Sequence, residues 1–260
     1  MLWVLLAAAE PQGSTIFRVR SSRHERRNAV VSVYIAAVLL LILVGRKFAA
    51  TIYDVVITRL TVRWYAVVLE SFDDGSKILD VGVGTLSALA PHASMIANKR
   101  LTIAGVDYES AYVKAAQLRI DRDPTLKARV VVRCASVYDT QTLEELRAAH
   151  GPFDGAYFSG SLTLMPDPVA ALRAAAAVVR PGGTIHCTQT YQRRTPPLLA
   201  TIKPLLKYAT TIDFGQLTTE RRARSIFRES GFEIKQHKVI ADSVDTPFQA
   251  AYHTILLVPS

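Results

Sequence analysis

Cysteine is almost missing from this chain, with only Cys134 and Cys187 among 260 residues. Each falls within an apolar stretch that reads as a strand, so a disulfide framework is excluded and a reducing compartment is expected for that part. No cysteine and histidine group has metal-ligand spacing, so no metal is expected. Internal repeats are lacking, and the one low-complexity feature, Ala174 to Ala177, reads as tight helix packing. Acids are scarce at the start: residues 1–50 carry seven Lys or Arg against two acids, net +5, leaving net +4 of the formal +9 for residues 51–260. The positive excess therefore sits beside an apolar run rather than over the rest of the chain, which argues against a nucleic-acid partner. Half the residues are apolar, enough for one substantial core with an appendage and not for a second large domain.

That apolar run extends from Ala29 to Val44, broken only by Ser32 and Tyr34, with Arg26 and Arg27 before it and Arg46 and Lys47 after it. A transmembrane helix over residues 29–45 is expected, preceded by a basic segment over 1–28 and followed by the main domain over 48–260. Sixteen helical residues cover roughly 24 Å, short of the ~30 Å hydrocarbon layer, so the flanking basic side chains must snorkel. A buried or interfacial helix is the alternative. Orientation stays open, because five basic residues precede the run and four follow it within about twenty residues. Met1 to Ala9 is apolar but too short to span, and no basic residue precedes it as in a signal peptide. Ser14 to Arg27 reads as a solvated juxtamembrane segment, with organelle targeting as the alternative. The expectation is a single-pass membrane protein of open organelle with its main domain on the cytosolic side.

The densest signal is Lys77-Ile-Leu-Asp80-Val-Gly82-Val-Gly84-Thr85, a short apolar strand closing on a carboxylate and a glycine turn. Glycines 82 and 84 allow a sharp turn and a close approach of backbone to ligand. A nicotinamide-binding loop would complete G-x-G-x-x-G, but Ser87 stands at its third glycine and Asp80 precedes the first by two residues. A carboxylate there suits a cationic or hydroxyl-rich ligand better than a diphosphate.

The D-x-G-x-G spacing resembles motif I of the class I S-adenosylmethionine-dependent methyltransferases. Leu101 to Asp107, Val130 to Asp139, Phe153 to Gly160 and Val179-Arg-Pro-Gly-Gly183 continue the likeness in order over roughly residues 77–190. The resemblance implies a doubly wound, mostly parallel seven-stranded α/β sheet with helices on both faces, and S-adenosylmethionine as cofactor. It implies contacts from Asp80, Gly82, Gly84 and Thr85 in the loop, and from Asp107 to the ribose hydroxyls with Tyr108 flanking the adenine. Ser136 and Val137 would lie near the adenine amino group, and Ser159 and Gly160 near the methionine end. Two departures stand out. Leu86 occupies the place of a third glycine, so the loop is expected to sit differently, and Ser136 replaces a common aspartate. Asp107 also admits a blander reading, as a cap of the helix beginning at Ser110.

Coarse periodicity gives a helix from Tyr53 to Leu69, a crossover helix from Leu86 to Asn98 bent at Pro91, and another from Ser110 to Ile120. Thr142-x-x-Glu145 reads as a capping box for the next helix, and Val169 to Val179 as the one after. Thr184 to Gln189 reads as a strand, residues 191–217 as an insertion rich in leucine and proline, and Thr218 to Ser230 as a helix stopped by Gly231. Phe232 to Ile240 and Ala251 to Val258 complete the strands. The insertion is expected to cover the acceptor site.

Methyl transfer is an in-line displacement that needs alignment and dehydration more than a base. Tyr138, Tyr191 and His186 fall near the strands but read first as hydrogen-bonded core or rim groups, and no catalytic base is assigned. The DNA amino-methyltransferase signature, Asn or Asp with Pro-Pro and an aromatic, is missing after strand four. The function expected is a membrane-anchored methyltransferase with a small-molecule or lipid-like acceptor. A protein methyltransferase, a silent cofactor-binding module and a nicotinamide-dependent oxidoreductase are the alternatives.

Overall fold

A computed structural model describes residues 59–193 and 218–260. The expected span over 29–45, and the insertion beyond Arg193, lie outside the described residues. Among those described, no helix is long and apolar enough to cross a membrane.

Helix α1 covers residues 59–71 and leads into β1 (Lys77–Val81). Then come α2 (Ala93–Asn98), β2 (Thr102–Asp107), α3 (Ser110–Arg122), α4 (Pro124–Arg129) and β3 (Val130–Cys134). The second half contains α5 (Thr140–His150), β4 (Phe153–Ser159), α6 (Pro168–Val178), β5 (Val179–Gln192), α7 (Glu220–Ser230), β6 (Glu233–Val239) and β7 (Gln249–Leu257). The seven strands form one sheet in the order β3-β2-β1-β4-β5-β7-β6. All pairs through β4–β5 are parallel, and β7 runs antiparallel to both neighbours. The chain winds from β1 outward to β3 and then returns to β1's other side with β4. Such a reversal opens a crevice at the carboxyl ends of β1 and β4.

Strand side chains alternate between faces, and the core divides accordingly. Leu79, Val81, Ala104, Val106, Ala156 and Phe158 pack under α5, α6 and α7. Ile78, Ile103 and Tyr157 pack under α1 to α4. Asp80 therefore belongs to the α1 face. Register extends this: Asp80 pairs with Gly105 and Tyr157, so Asp107 and Ser159, two residues further along β2 and β4, share its face at the strand tips.

Several local expectations change. The first crossover is not one bent helix, because residues 82–89 form turns and a 3-10 turn over Ala90–His92 precedes α2. Pro91 sits at the start of that turn, where its missing N–H costs nothing. Asp139, not Thr142, caps α5: its carboxylate accepts from the Thr142 backbone N–H and hydroxyl. A short helix, α4, appears where none was expected. Asp123 caps it by accepting from Thr125 N and Leu126 N, with Pro124 at its first position, a pairing visible in the sequence. The Arg-Pro-Gly-Gly turn lies inside β5 as an irregularity, where pairing steps from Phe153 with Val179 to Gly155 with Thr184. Tyr191 belongs to β5 and is buried in the core, so the insertion begins later than expected.

Candidate functional site

The site is a carboxylate-edged crevice over the turn that leaves β1. Gly82, Gly84 and Leu86 all lie in the left-handed region, at φ 76°, 59° and 62°. The two glycines have different reasons to be glycine. A Cβ on Gly82 would come within 2.5 Å of Ser161 Cβ, whereas one on Gly84 would meet nothing within 4 Å. The first is closed against the protein, and the second faces open space where a ligand can touch backbone.

Leu86 adopts the backbone that a third glycine would take, at a cost of about 1 kcal/mol for a residue with a Cβ. Its side chain is 1% exposed and packed in the α1-face core, which more than offsets that strain. Arg119 adds support by donating to the Thr85 carbonyl at 2.9 Å, and Thr85 Oγ1 donates to Ser87 Oγ.

Asp80 lies 1% exposed beneath this turn. One carboxylate oxygen accepts the Tyr65 hydroxyl at 2.7 Å, and the other, Oδ1, is buried with no partner. Burial, with the nearby Asp107 charge adding to it and the Tyr65 bond opposing it, pushes its carboxyl up to about 7. A buried carboxylate with a free oxygen is costly unless a cation or donor completes it. Asp107, also buried, accepts from Gly84 N and from Glu109 N, both at 2.9 Å. It thus fixes the glycine turn to the tip of β2. The cap of α3 is Glu109, which accepts from Ala111 N, so Asp107 does not serve that purpose.

The remaining expected residues fall at the same sheet edge in different states. Tyr108 is 79% exposed beside Asp107. Ser136 accepts from Tyr138 N, while Val137 buries its side chain in the core and leaves only its backbone for a ligand. Ser159 ends β4, and Gly160, at φ 69°, donates to the Thr188 carbonyl. Tyr138 donates to the Asp167 carbonyl and accepts from Asp167 N, clamping the segment before α6. His186 is buried against Phe72, within 3.0 Å of His253 and of Thr184 Oγ1. Burial, then the His253 charge, holds its imidazole well below the usual range. Neither His186 nor the buried Tyr191 reaches the crevice. Among the described residues, no group of three or more His, Cys, Asp or Glu could hold a metal.

Tyr65, Arg119 and Ser161 were not anticipated. They reach the turn from 15, 34 and 80 residues away, separations at which sequence spacing carries no signal.

The family model "Methyltransferase domain" matches residues 78–183, from within β1 to the Arg-Pro-Gly-Gly turn. This is a class I S-adenosylmethionine-dependent methyltransferase domain. The cofactor of this family is S-adenosylmethionine, and the methyltransferase domain here holds the groups that suit it: a free buried carboxylate oxygen, a second carboxylate at the tip of β2, and open space over Gly84. A ubiquinone biosynthesis O-methyltransferase of Xanthomonas campestris pv. campestris is 32% identical over 127 residues, 48% of this chain and 47% of that one. The chain thus spans about half the length of that curated relative. A SAM-dependent methyltransferase from Aquifex aeolicus superposes with TM-score 0.54 at 15% identity, covering 77% of this chain and 93% of that one. The cyclase SpnF superposes with TM-score 0.58 at 19% identity, covering 76% and 81%. At such identities these structures establish the fold alone, and a cyclase among them shows that the methyltransferase fold hosts other chemistry.

Proposed function

We propose that this chain transfers a methyl group from S-adenosylmethionine to an oxygen of a small-molecule or lipid-like acceptor, and that residues 29–45 anchor it in a membrane. The observation that carries the cofactor half is Asp80, whose buried Oδ1 lacks a partner and suits an ammonium group. Asp107 would take the ribose hydroxyls, Gly84 would admit the cofactor against its backbone, and Tyr108 would cover the adenine. When bound, the cofactor supplies a methyl group on a sulfonium, whose departure leaves a neutral thioether. The protein's part is then to orient the acceptor and exclude water. No described residue at the crevice is assigned as a base.

Oxygen as the acceptor atom rests on the O-methyltransferase relative, and the anchor rests on the uncharged run before the domain. The cytosolic side is favoured by the two free cysteines. Incubating the full chain in membranes with radiolabelled methyl donor, followed by separate extraction of lipid, protein and small molecules, tests the reading. Label in the lipid or small-molecule fraction supports it, and label in protein alone moves the acceptor to a polypeptide. No label anywhere, with cofactor still bound, indicates a silent binding module. Retention on membranes through an alkaline carbonate wash tests the anchor, and release would refute it.

A further inference from the structure

Trp64 belongs to neither of the two main cores. With Ile240 and Ala251, and with Leu60, Val67 and Val244 packed around them, it forms a small third cluster that fastens α1 to the β6–β7 end of the sheet. Trp64 is 4% exposed, and its Nε1–H donates at 3.0 Å to the hydroxyl of Ser243, in the turn between β6 and β7. A buried indole N–H needs such a partner. The neighbouring contact, Arg63 to Asp242 at 3.2 Å, joins two exposed side chains and adds little.

The same indole lies against the tip of β4. A Cβ on Gly160 would stand 3.4 Å from Trp64 Cζ3, so the ring covers the side of Gly160 where other residues carry a side chain. One residue further on, Ser161 packs against Gly82 and donates its hydroxyl to the Val81 carbonyl. Contacts therefore run without a break from Ser243 through Trp64 and the β4 tip to the glycine turn. The next residue of α1, Tyr65, reaches Asp80. Successive side chains on a helix diverge by about 100°, so α1 braces the crevice at two separate points, β1 and the tip of β4.

We propose that Trp64 is a positioning residue for the cofactor: held by Ser243, it sets the tip of β4, and through Ser161 the glycine turn, in the arrangement that receives S-adenosylmethionine. This rests on the reading that the cofactor lies over that turn. The test is calorimetry of the full chain in neutral detergent with S-adenosylmethionine, at a temperature where circular dichroism shows each variant folded. Ser243→Ala and Trp64→Phe, which remove the same hydrogen bond from opposite ends, should each weaken binding about three- to tenfold. The double variant should be no weaker than the weaker single. Ser243→Thr, which keeps the hydroxyl, and Asp242→Asn, which loses only the exposed ion pair, should bind within about twofold of the parent.

A spectroscopic readout separates positioning from packing. The chain has two tryptophans, Trp3 and Trp64, so in a Trp3→Phe background Trp64 is the sole emitter. Its emission should shift as S-adenosylmethionine saturates the protein, with the midpoint found by calorimetry. Unchanged emission, or parent-like affinity in both Ser243→Ala and Trp64→Phe, would overturn the role of Trp64 and leave the cofactor reading intact. Failure of the parent itself to bind S-adenosylmethionine would refute the cofactor reading and the role of Trp64 together.

Discussion

The two faces of the sheet draw on the same strands and serve different ends. Under α5, α6 and α7, β1 and β4 contribute Leu79, Val81, Ala156 and Phe158 to a continuous apolar core. Under α1 to α4 the intervening positions include Asp80, Tyr157 and Ser159, with Asp107 beside them on β2. One residue of offset separates fully apolar side chains from Asp80 and Ser159, whose Oδ1 and Oγ stay without a partner. The α1 face tolerates Asp80 because apolar burial on both faces of the sheet, including Ile78, Leu86 and Ile103 on its own, carries the stability.

The largest expected effect tests the apolar side. Phe158→Ala should lower unfolding free energy by about 3 to 5 kcal/mol while S-adenosylmethionine affinity stays within about twofold where the protein is folded. Denaturant unfolding and calorimetry check the two halves, and a joint loss would mean that the faces are not separable. Next comes Asp107→Ala, which removes the ribose acceptor together with the bonds to Gly84 N and Glu109 N. Cofactor affinity should drop roughly thirty- to several-hundredfold, about 2 to 4 kcal/mol. Tight binding of a nicotinamide dinucleotide by the parent would instead sink the methyltransferase reading.

A pH series sharpens the comparison. Asp80 titrates near 7 in the folded protein and near 3.9 when unfolded, so folding favours its protonated form. That contribution is present below about pH 4 and is lost as pH rises through 7. A cationic ligand favours the carboxylate, so cofactor affinity should climb about tenfold from pH 6 to pH 8, and Asp80→Asn should flatten the profile. A flat profile in the parent would show that the ligand does not meet Asp80. The smallest effect is expected of Tyr65→Phe, which deletes the one hydrogen bond to Asp80. It should weaken binding at pH 7 by about 1 kcal/mol, with the deficit shrinking at higher pH. A loss independent of pH would make Tyr65 a packing residue only.

The sheet and the principal carboxylates were legible because their signals are local. A strand closing on Asp80, the glycines at 82 and 84, and a second strand closing on Asp107 are each contained in a few consecutive residues. The alternation of strand and helix gives a parallel sheet with helices on both faces, and its doubly wound form was implied by the family resemblance. What escaped depends on chain segments that meet only after folding. Nothing near Leu86 announces that burial would hold it in a glycine's backbone. Ser161 makes Gly82 obligatory although it lies 79 residues further along the chain. Cap choice at α5 also went astray, because Asp139 and Thr142 both fit the rules and only geometry decides between them.

The neighbouring ends of the insertion have an architectural consequence. Gln192 N donates to the Thr218 carbonyl, and Gln192 bridges to Thr219, so the chain leaves the sheet and rejoins it at one point. Among the described residues, every strand pairing of the sheet is therefore made without residues 194–217, which join two positions that already lie side by side. Loop closure grows only slowly with length, each doubling adding about 0.6 kcal/mol. A segment joining two such neighbouring positions can therefore lengthen or shorten at little cost while Asp80 and Asp107 keep their places in the sheet.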